Sequence, residues 1–522
     1  MSDFPIGRTP GLGFQASFAL WIAVVGSTAS SAQDVSATKD RPDVAPVAAA
    51  PGAVFEVAYP EQVADGRPIT ARVYVMLAAP GTPGEPRLGP NWFRPQPFFA
   101  RDVRDWKPGE SIRIDARAHG FPDSLDKLAP GAYRAQAVVR LNLDTARIGS
   151  GEGNLHGPIV EFTSPTSNEG PIKLVVDQIV APREFKETDR IKYAELPSPL
   201  LSAFLGRPIK HRAAVILPKR PTGGKSPAVY IITGFGGDHH SAPRYVDFPG
   251  MHFADDMTRI VLDADCGTGH HVFADSANNG PRGQALIEEF IPYLEATHGL
   301  IPDPRARLLN GHSSGGWSSL WLQTAYPDFF GGTWSTSPDP VDFHDFQRID
   351  LYAAGENVFR DRQGERRPIA RMGTKPVLFY EDFSRMEDVM GFGGQLGSFE
   401  AVFSSKGADG SPIKLWDRKT GAIDPATARA WENYDIRLVL ERNWPTIGPK
   451  LAGKIHVITG SLDTFYLEGA VEKLKSSLEK LGSDADVEIL PDKDHSNILD
   501  RALADRIDRG MQAAVAPALE AR

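Results

Sequence analysis

The 522-residue sequence contains one cysteine, Cys266, so no internal disulfide can form, and we expect this side chain to be a small buried group. Basic residues are dispersed rather than clustered, and the formal net charge is −9, which argues against a nucleic-acid-binding surface. The sequence also lacks any run of about 20 apolar residues, the length that a transmembrane helix needs. Its 41% hydrophobic and 24% charged residues are typical of a globular protein.

The N-terminus has one apolar stretch, Phe14–Val25, which is too short to span a bilayer. Small residues suited to cleavage follow at Ser30–Ala32, although Arg8 is the only basic side chain before the apolar stretch. The pattern predicts a signal peptide over residues 1–32 and therefore an exported protein, periplasmic or secreted. Residues 33–52, rich in Ala and Pro, are predicted to be a flexible linker.

Residues 53–163 have the pattern of strands separated by turns. Apolar and polar residues alternate in Phe55–Tyr59 and again in Tyr133–Leu141. Such alternation predicts half-buried antiparallel strands, so we expect an all-β domain of immunoglobulin-like type. No chemistry is evident in it, and we assign it a spacer or substrate-guiding role. Residues 164–208 are transitional, with strands that could bridge to the next domain.

Strands and helices alternate over residues 209–522, which predicts an α/β domain with a mainly parallel sheet and helices on both faces. Ile209–Leu217 and Ala228–Thr233 are two apolar strands that we expect to form a hairpin. The alternation stops at about 337–449, where the sequence is rich in aromatic residues. This insert is interpreted as a cap over the functional site; the alternative is that its aromatic residues fill a core at the sheet edge.

The strongest chemical signal is the stretch Leu308–Trp317, in which an apolar run leads into Gly-His-Ser-Ser-Gly at 311–315. The residues that follow have helical periodicity, so the sequence predicts a strand, a sharp turn and a helix. This is the context of a nucleophile elbow, where small residues flank a serine held at a strained backbone angle. We predict that Ser313 is a catalytic nucleophile; the alternative is a Gly- and Ser-rich turn that binds nothing.

A serine hydroxyl needs a base within hydrogen-bond reach, and the base needs a carboxylate to orient it. In chains with a nucleophile elbow the order is serine, acid, histidine. Three histidines follow Ser313, namely His344, His456 and His495. His344 precedes the last two predicted strands and His456 lies inside one, whereas His495 lies in a polar loop after the final strand. His495 is therefore the predicted base.

The predicted acid is Asp463, which follows the penultimate strand, where a carboxylate can reach the histidine loop. Asp339, after an earlier strand, is the competing candidate. Asp492 and Asp494 adjoin His495 and lie too close along the same loop to orient it. A solvated surface carboxylate is the alternative for all four.

Acyl chemistry also needs two donors aimed at the developing oxyanion. One is the backbone N–H of Ser314, directly after the nucleophile, and the other should come from a Gly-rich loop after an early strand. The sequence Gly-Phe-Gly-Gly at 234–237 fits this position, with the N–H of Phe235 as the predicted donor.

Several acidic and histidine side chains near this loop raise the possibility of a metal site. They are Asp238, His239, His240, Asp263, Asp265, His270 and His271. Their spacing matches no strong metal motif, and serine chemistry needs no metal. We therefore expect hydrogen-bonded loop residues, no metal and no cofactor.

Together these motifs resemble the esterase D-like group of the α/β-hydrolase superfamily, which includes enterochelin esterases, feruloyl esterases and S-formylglutathione hydrolases. The resemblance rests on the Gly-rich loop, the stretch Phe290–Glu295, the motif at 311–316, and Asp463 and His495. The sequence departs from the group in three ways. The usual His-Gly before the Gly-rich loop is replaced, the histidine loop lacks the common Gly-His start, and the insert is unusually long.

The resemblance implies an α/β-hydrolase fold over residues 209–522 and hydrolysis of a small-molecule carboxylic ester through an acyl-enzyme intermediate. The first alternative is acyl transfer to an alcohol by the same triad, as in the related mycolyltransferases. The second is a non-catalytic exported protein that binds a glycan or a peptide. Neither nucleic acid nor, after signal cleavage, a membrane is an expected partner.

Overall fold

The computed structural model describes residues 53–165, 170–220, 224–247 and 250–520, all within one compact unit. The predicted signal peptide and linker lie outside the described residues. Cys266 is buried, as expected. Of the helices in the described ranges, none combines the length and the apolarity needed to cross a bilayer.

In the described residues from 53 to 179, the strands form two sheets, and the only helical elements are three short 3-10 turns. The strands are β1 (Phe55–Ala58), β2 (Ile69–Ala78), β3 (Phe98–Trp106), β4 (Ile112–Ile114), β5 (His119–Phe121), β6 (Gly131–Arg140), β7 (Leu155–His156), β8 (Val160–Ser164), β9 (Ile172–Val175) and β10 (Gln178–Ile179). One sheet has three strands in the order β4-β1-β9. The other has seven, in the order β10-β7-β6-β2-β3-β5 with β8 also on β6. We call this region the β part.

Strand β2 is buried on both faces, which corrects the expectation of half-buried strands. Val73 and Val75 face the core of the β part. Tyr74 and Met76 face a second core that the β part shares with the C-terminal residues. The strand is apolar from Val73 to Ala78, a pattern typical of strands that are covered on both sides. One face of the larger sheet is therefore a surface on which the rest of the chain packs.

The remaining strands belong to the C-terminal part. They are β11 (Ile191–Pro197), β12 (Lys210–Ile216), β13 (Ala228–Ile232), β14 (Thr258–Leu262), β15 (Asp265–Cys266), β16 (Gly269–His270), β17 (Asp275–Ser276), β18 (Gly280–Pro281), β19 (Arg307–His312), β20 (Gly332–Thr336), β21 (Pro368–Met372), β22 (Lys375–Phe379), β23 (Ile455–Gly460) and β24 (Asp486–Leu490). Eight of them form one sheet in the order β11-β12-β14-β13-β19-β20-β23-β24. β12 runs antiparallel to its two neighbours, and every other pair is parallel, so the mainly parallel sheet is confirmed.

The predicted hairpin of β12 and β13 is wrong. Strand β14, which comes later in the sequence, lies between them and pairs with both. Two consecutive apolar runs have the same sequence pattern whether the two strands pair with each other or with a later strand that lies between them. The sequence therefore did not reveal the position of β14. The strands that were predicted to bridge the two parts do not all belong to the same part. β9 and β10 pair within the β part, whereas β11 pairs with β12 of the C-terminal part.

Eleven α-helices surround the sheets in the described ranges. They are α1 (Pro199–Leu205), α2 (Arg244–Asp247), α3 (Arg282–Ala285), α4 (Ile291–Thr297), α5 (Ser314–Ala325), α6 (Tyr380–Met390), α7 (Gln395–Phe403), α8 (Pro425–Trp431), α9 (Ile436–Leu451), α10 (Glu468–Lys480) and α11 (Arg501–Glu520). A π-helical turn over Leu286–Phe290 joins α3 to α4, so residues 282–297 form one continuous helical segment. Pro292 lies at the start of α4, where it lacks an N–H and crowds the preceding turn, which agrees with the wider π-helical turn just before it.

Helices cover both faces of the main sheet. Val229 and Ile231 of β13 pack in one cluster with Ile507 and Met511 of α11. Their neighbours Tyr230 and Ile232 point to the other face and pack in a cluster that includes Leu294 of α4 and Leu322 of α5. Both faces of β13 are therefore apolar, as a central parallel strand requires.

The insert at 337–449 contains the hairpin β21–β22 and most of helices α6–α9. Its buried aromatic residues share a core with Trp317 of α5 and with the outer face of the β part; they are Phe343, Phe346, Phe359, Tyr380, Phe383, Phe399, Phe403, Trp416 and Trp431. These nine side chains are therefore buried in a core. That the insert also forms a cap over the functional site stays a prediction.

Replacing Phe403 tests how much this shared core contributes to the stability of the fold. Its ring lies 5.1 Å from the rings of both Trp317 and Trp431, measured between centroids. We expect Phe403→Ala to lower the free energy of unfolding by about 3–5 kcal/mol, measured by urea denaturation, because it leaves a cavity among packed rings. Phe392→Ala is the control in the same insert, since Phe392 is 56% exposed and its loss should change little. Equal effects of the two substitutions would contradict the assignment of the core.

Candidate active site

Ser313 lies between the last residue of β19 and the first residue of α5, with φ 61° and ψ −126°. A positive φ is strained for a residue other than glycine, and the flanking strand and helix hold both ends of the turn. The Ser313 N–H donates to the carbonyl of Thr336 at 3.0 Å. Position 315 must be glycine, because a Cβ there would lie 2.0 Å from the carbonyl oxygen of Ile232. The predicted strand, sharp turn and helix are present.

His495 and Asp463 lie in the loops that follow β24 and β23, and their side chains meet. His495 Nδ1 is 2.8 Å from Asp463 Oδ2, and both residues are buried. Burial acts to raise the pKa of Asp463, but the facing His495 prevails and holds it below its usual value. Burial likewise acts to lower the pKa of His495, but the Asp463 carboxylate prevails and raises it. With Nδ1 donating to the carboxylate, Nε2 is left to exchange a proton with another group.

The histidine loop reaches the elbow at the residue before Ser313. The rings of His312 and His495 lie 4.6 Å apart, measured between centroids. On another side, Phe465 meets His495 edge to face at 4.9 Å. Burial, reinforced by the nearby His495, lowers the pKa of His312 to about 3, so His312 is neutral at ordinary pH. His495 is thus held beside the serine turn by one neutral ring and one apolar ring.

The segment Gly234–Gly237, which we call the glycine loop, follows β13 and lies against the elbow. A Cβ at Gly234 would lie 3.2 Å from Ser313 Cβ, so a side chain there would crowd the serine. The N–H of Gly237 donates to the carbonyl of Gly234 at 3.0 Å, and Gly236 has a φ of 78°. The loop is therefore a tight turn placed directly beside Ser313.

Ser314 is the first residue of α5, so its backbone N–H has no acceptor within the helix. Its hydroxyl donates to Asp339 Oδ2 at 2.5 Å, and the Gln395 amide lies 3.3 Å from both groups. Burial raises the pKa of Asp339 to about 6. The competing acid therefore pairs with Ser314, whereas the carboxylate that pairs with His495 is that of Asp463.

The other two histidines downstream of the elbow are engaged elsewhere. His344 Nδ1 lies 3.1 Å from Asp350 Oδ1. The ring of His456 stacks on Trp334, with 4.5 Å between centroids, and its Nδ1 lies 3.1 Å from the carbonyl of Thr333. These contacts agree with the sequence reading, which set both histidines aside.

The polar residues considered as metal ligands make hydrogen bonds and ion pairs with other protein groups. His239 Nδ1 lies 3.0 Å from Asp263 Oδ2, and His270 Nε2 lies 2.9 Å from the carbonyl of Thr233. Asp238 accepts a hydrogen bond of 2.7 Å from Arg147 of the β part. Throughout the part of the chain that the structure describes, no group of three or more His, Cys, Asp or Glu side chains is arranged to hold a metal ion.

The β part supplies an aromatic residue near the site that sequence reasoning missed. Trp92 lies in the loop between β2 and β3, and its ring centroid is 5.5 Å from that of Phe235. It also lies 4.9 Å from Phe383 of the insert and 6.5 Å from Phe465, the residue that contacts His495. The available signal was an aromatic pair, Trp-Phe, in a proline-rich loop at 90–97. Strand alternation in the β part gave no reason to place that loop near the serine.

The insert also contributes a residue that the sequence did not single out. Arg371 of β21 donates through Nε to the carbonyl of Asp463 at 2.9 Å. Its Nη2 pairs with Glu468 Oε1 at 2.6 Å. The loop that carries Asp463 is therefore fixed from the insert side as well as by its own turn.

A serine held at a positive φ between a strand and a helix of a mainly parallel sheet is the architecture of α/β-hydrolase-like enzymes. The chain matches the Esterase family, described as "Putative esterase", over residues 202–477, slightly more than half of its 522 residues. The chain belongs to this family, which confirms the resemblance seen in its motifs, and it is a carboxylic ester hydrolase. The matched range contains Ser313 and Asp463 and ends before His495.

Solved structures similar to the chain include a ferulic acid esterase, with 13% identity, a TM-score of 0.38, and coverage of 62% of this chain and 99% of that one. A second is FphF, a fluorophosphonate-binding serine hydrolase of Staphylococcus aureus, with 14% identity, a TM-score of 0.37, and coverage of 62% and 99%. A third is an S-formylglutathione hydrolase from Agrobacterium tumefaciens, with 12% identity, a TM-score of 0.37, and coverage of 63% and 97%. Comparison with curated protein sequences gives no match.

Substituting Gly234 tests the close approach of the glycine loop to the serine. We expect Gly234→Ala to lower kcat/KM for a short p-nitrophenyl ester by about tenfold or more, because the added methyl group displaces Ser313 by a few tenths of an ångström. Gly224→Ala is the control, since a Cβ at Gly224 meets nothing within 4 Å. Unchanged activity of Gly234→Ala, at unchanged thermal stability, would contradict the placement of the loop.

Proposed function

We propose that the chain hydrolyses carboxylic esters with Ser313 as nucleophile, His495 as general base and Asp463 as the group that orients the base. The observation that carries this proposal is the buried 2.8 Å contact between His495 and Asp463, with the His495 ring 4.6 Å from that of His312, directly before the strained serine. This arrangement supports the proposal, because serine catalysis needs a nucleophile, a base near it and a carboxylate that orients the base. No other His–carboxylate pair among the described residues adjoins the elbow in this way.

The reaction begins when the Ser313 hydroxyl attacks the ester carbonyl while His495 Nε2 takes its proton. Asp463 stabilises the imidazolium that forms, since its own pKa lies below the usual value and it stays ionised. His495 then gives the proton to the leaving alcohol, and an acyl group remains on Ser313. Water activated by His495 attacks this acyl-enzyme and releases the acid.

The negative charge of each tetrahedral intermediate is assigned to two backbone donors, the N–H groups of Phe235 and Ser314. Ser314 opens α5, so its N–H is unused within the helix and lies at the positive end of the helix dipole. Phe235 lies within the tight glycine loop beside Ser313. Each such donor contributes about 3–4 kcal/mol to stabilising the transition state.

The substrate is a small-molecule ester whose apolar portion contacts the aromatic side chains near His495. Phe465 touches the ring of His495, and Phe93 lies beside Phe465 with 6.5 Å between ring centroids. We further propose that the β part is an immunoglobulin-like sandwich, which its two sheets and their apolar core support. The N-terminal apolar stretch supports export to the periplasm or the medium after removal of residues 1–32.

Ser313→Ala is the direct test of the nucleophile. Removing the hydroxyl should reduce hydrolysis of a short p-nitrophenyl ester by about 10⁶-fold in kcat, because no acyl-enzyme can form. Labelling by a fluorophosphonate probe should be lost at the same time. Ser476→Ala, an exposed serine on α10, is the control and should keep full activity. Retained hydrolysis by the purified Ser313→Ala protein would overturn the proposal.

The pH profile of hydrolysis tests the base. Catalysis needs neutral His495, and its pKa is raised, so kcat/KM should fall as the pH drops through a value above the ordinary histidine pKa of about 6.5. Asp463→Asn removes the charge that raises this pKa and leaves burial, which lowers it. The acidic limb should therefore move to lower pH, and kcat should fall by about 10⁴-fold. An acidic limb that stays in place in Asp463→Asn would exclude this pairing.

A further inference from the structure

An arginine of the β part contacts the glycine loop. Arg147 lies in the segment between β6 and β7, and its Nη2 donates to the carbonyl of Gly236 at 3.2 Å and to Asp238 Oδ2 at 2.7 Å. Its Nε lies 3.5 Å from Asp265 Oδ2. A planar guanidinium with several donors in fixed directions can hold one backbone carbonyl and two carboxylates at once. The contact therefore fixes both the loop itself and the residue that follows it.

The segment that carries Arg147 is itself fixed on the C-terminal part. The Thr145 hydroxyl donates to Asp265 Oδ2 at 2.5 Å, and the Ala146 N–H donates to Asp265 Oδ1 at 3.2 Å. Within the β part, the Asn154 amide donates to the carbonyl of Arg147 at 3.0 Å. Arg147 is thus a short, anchored bridge rather than a surface side chain that happens to lie close.

A second contact from the β part falls on the same loop. The Trp92 ring lies 5.5 Å from the ring of Phe235 and meets the ring of Phe383 edge to face at 4.9 Å, measured between centroids. Trp92 and Arg147 come from different connections of the larger sheet of the β part, yet they contact adjacent residues of the glycine loop. The side chain of Phe235 and the carbonyl of Gly236 are therefore both held from outside the hydrolase sheet.

This matters because an oxyanion donor acts only when its N–H lies within about 2.7–3.1 Å of the developing charge. The glycine loop has three glycines in four residues, and glycine gives the backbone more freedom than any other residue. Its single internal hydrogen bond, from Gly237 to Gly234, leaves the direction of the intervening peptides to outside contacts. The two contacts from the β part involve Phe235, which carries this N–H, and Gly236, the residue after it.

We propose that Arg147 and Trp92 are positioning residues that hold the glycine loop in its oxyanion-binding conformation, so that the β part completes the active site instead of serving as a spacer. The inference rests on the proposed function, since it gives the Phe235 N–H the role assigned there. Neither residue touches the reacting atoms. Their effect is on the transition state, because the oxyanion forms only there.

The test uses the full chain with Arg147→Gln and Arg147→Lys. Arg147→Gln should lower kcat and kcat/KM for a short p-nitrophenyl ester by about tenfold to a hundredfold with little change in KM, because transition-state stabilisation alone is lost. An alkylboronic acid, which forms a tetrahedral adduct with the serine, should bind more weakly by the same factor. Arg147→Lys should recover part of the loss, since a lysine can still pair with Asp238. Rates are referred to the fraction of protein titrated by a fluorophosphonate, which removes misfolded protein from the comparison.

Arg72→Gln is the matched control. Arg72 is also an arginine of the β part that crosses to the C-terminal part, pairing with Asp102 at 2.7 Å and donating to the carbonyls of Asp388 and Val389 at 3.2 Å. Its side chain is 22% exposed, against 31% for Arg147. It contacts the insert and not the glycine loop, so its loss should leave kcat and the boronic acid affinity of the titrated protein unchanged.

Trp92→Ala should lower kcat in the same way, and Trp92→Phe should keep most of it, because a smaller ring still covers Phe235. A readout independent of ester turnover is hydrogen exchange in the peptide that covers residues 234–238. Exchange there should quicken in Arg147→Gln and Trp92→Ala and stay unchanged in Arg72→Gln.

The outcomes separate this inference from the proposed function. The positioning role is overturned if Arg147→Gln has the same kcat, the same boronic acid affinity and the same hydrogen exchange as the wild type. This holds even though Ser313→Ala remains inactive. Equal losses in Arg147→Gln and Arg72→Gln would also overturn it, because they would indicate general destabilisation of the interface. If the wild-type chain cleaves no ester, the proposed function fails, and exchange at 234–238 then decides by itself whether the β part holds the loop.

Discussion

The site depends on one local constraint, the positive φ of Ser313 between β19 and α5. That conformation is costly for a serine, by about 1–3 kcal/mol, and persists only where the surroundings leave the turn no other path. Here the strand is paired on both sides within the main sheet, the helix is buried, and position 315 admits no side chain. Ser313 is partly buried at the carboxyl end of β19, and the histidine loop, the acid loop and the glycine loop are each arranged around it.

The elements that could be predicted from the sequence are those whose chemistry is local. The turn at 311–315 was readable because its glycines and serine are contiguous, and the mainly parallel sheet was readable because strands and helices alternate along the chain. His495 and Asp463 were separable from the other candidates by the order of elements alone. Their 2.8 Å contact is a long-range pairing that no spacing contains, although each residue lies in the loop where the sequence led us to look.

What the sequence did not reveal is of two kinds. Strand β14 lies between β12 and β13. Strand pairing depends on which of several possible partners packs best, and the apolar pattern of a strand does not indicate that partner. Arg147 and Trp92 were overlooked because a residue in a connection between strands carries no periodic signal. Their partners, the carbonyl of Gly236 and the ring of Phe235, are about 90 to 140 residues away in the sequence, so only the packed chain brings them together.

The second face of the larger β sheet has a consequence for how the chain is made. Tyr74, Met76 and Phe98 belong to a core whose other members come largely from the insert and from α5. During synthesis from the N-terminus, the β part emerges early and can complete its own core, yet this outer apolar face stays uncovered until the ribosome has passed the insert. A sheet in that condition is prone to associate with other chains, so the period between the two events is when the nascent protein has most need of a chaperone.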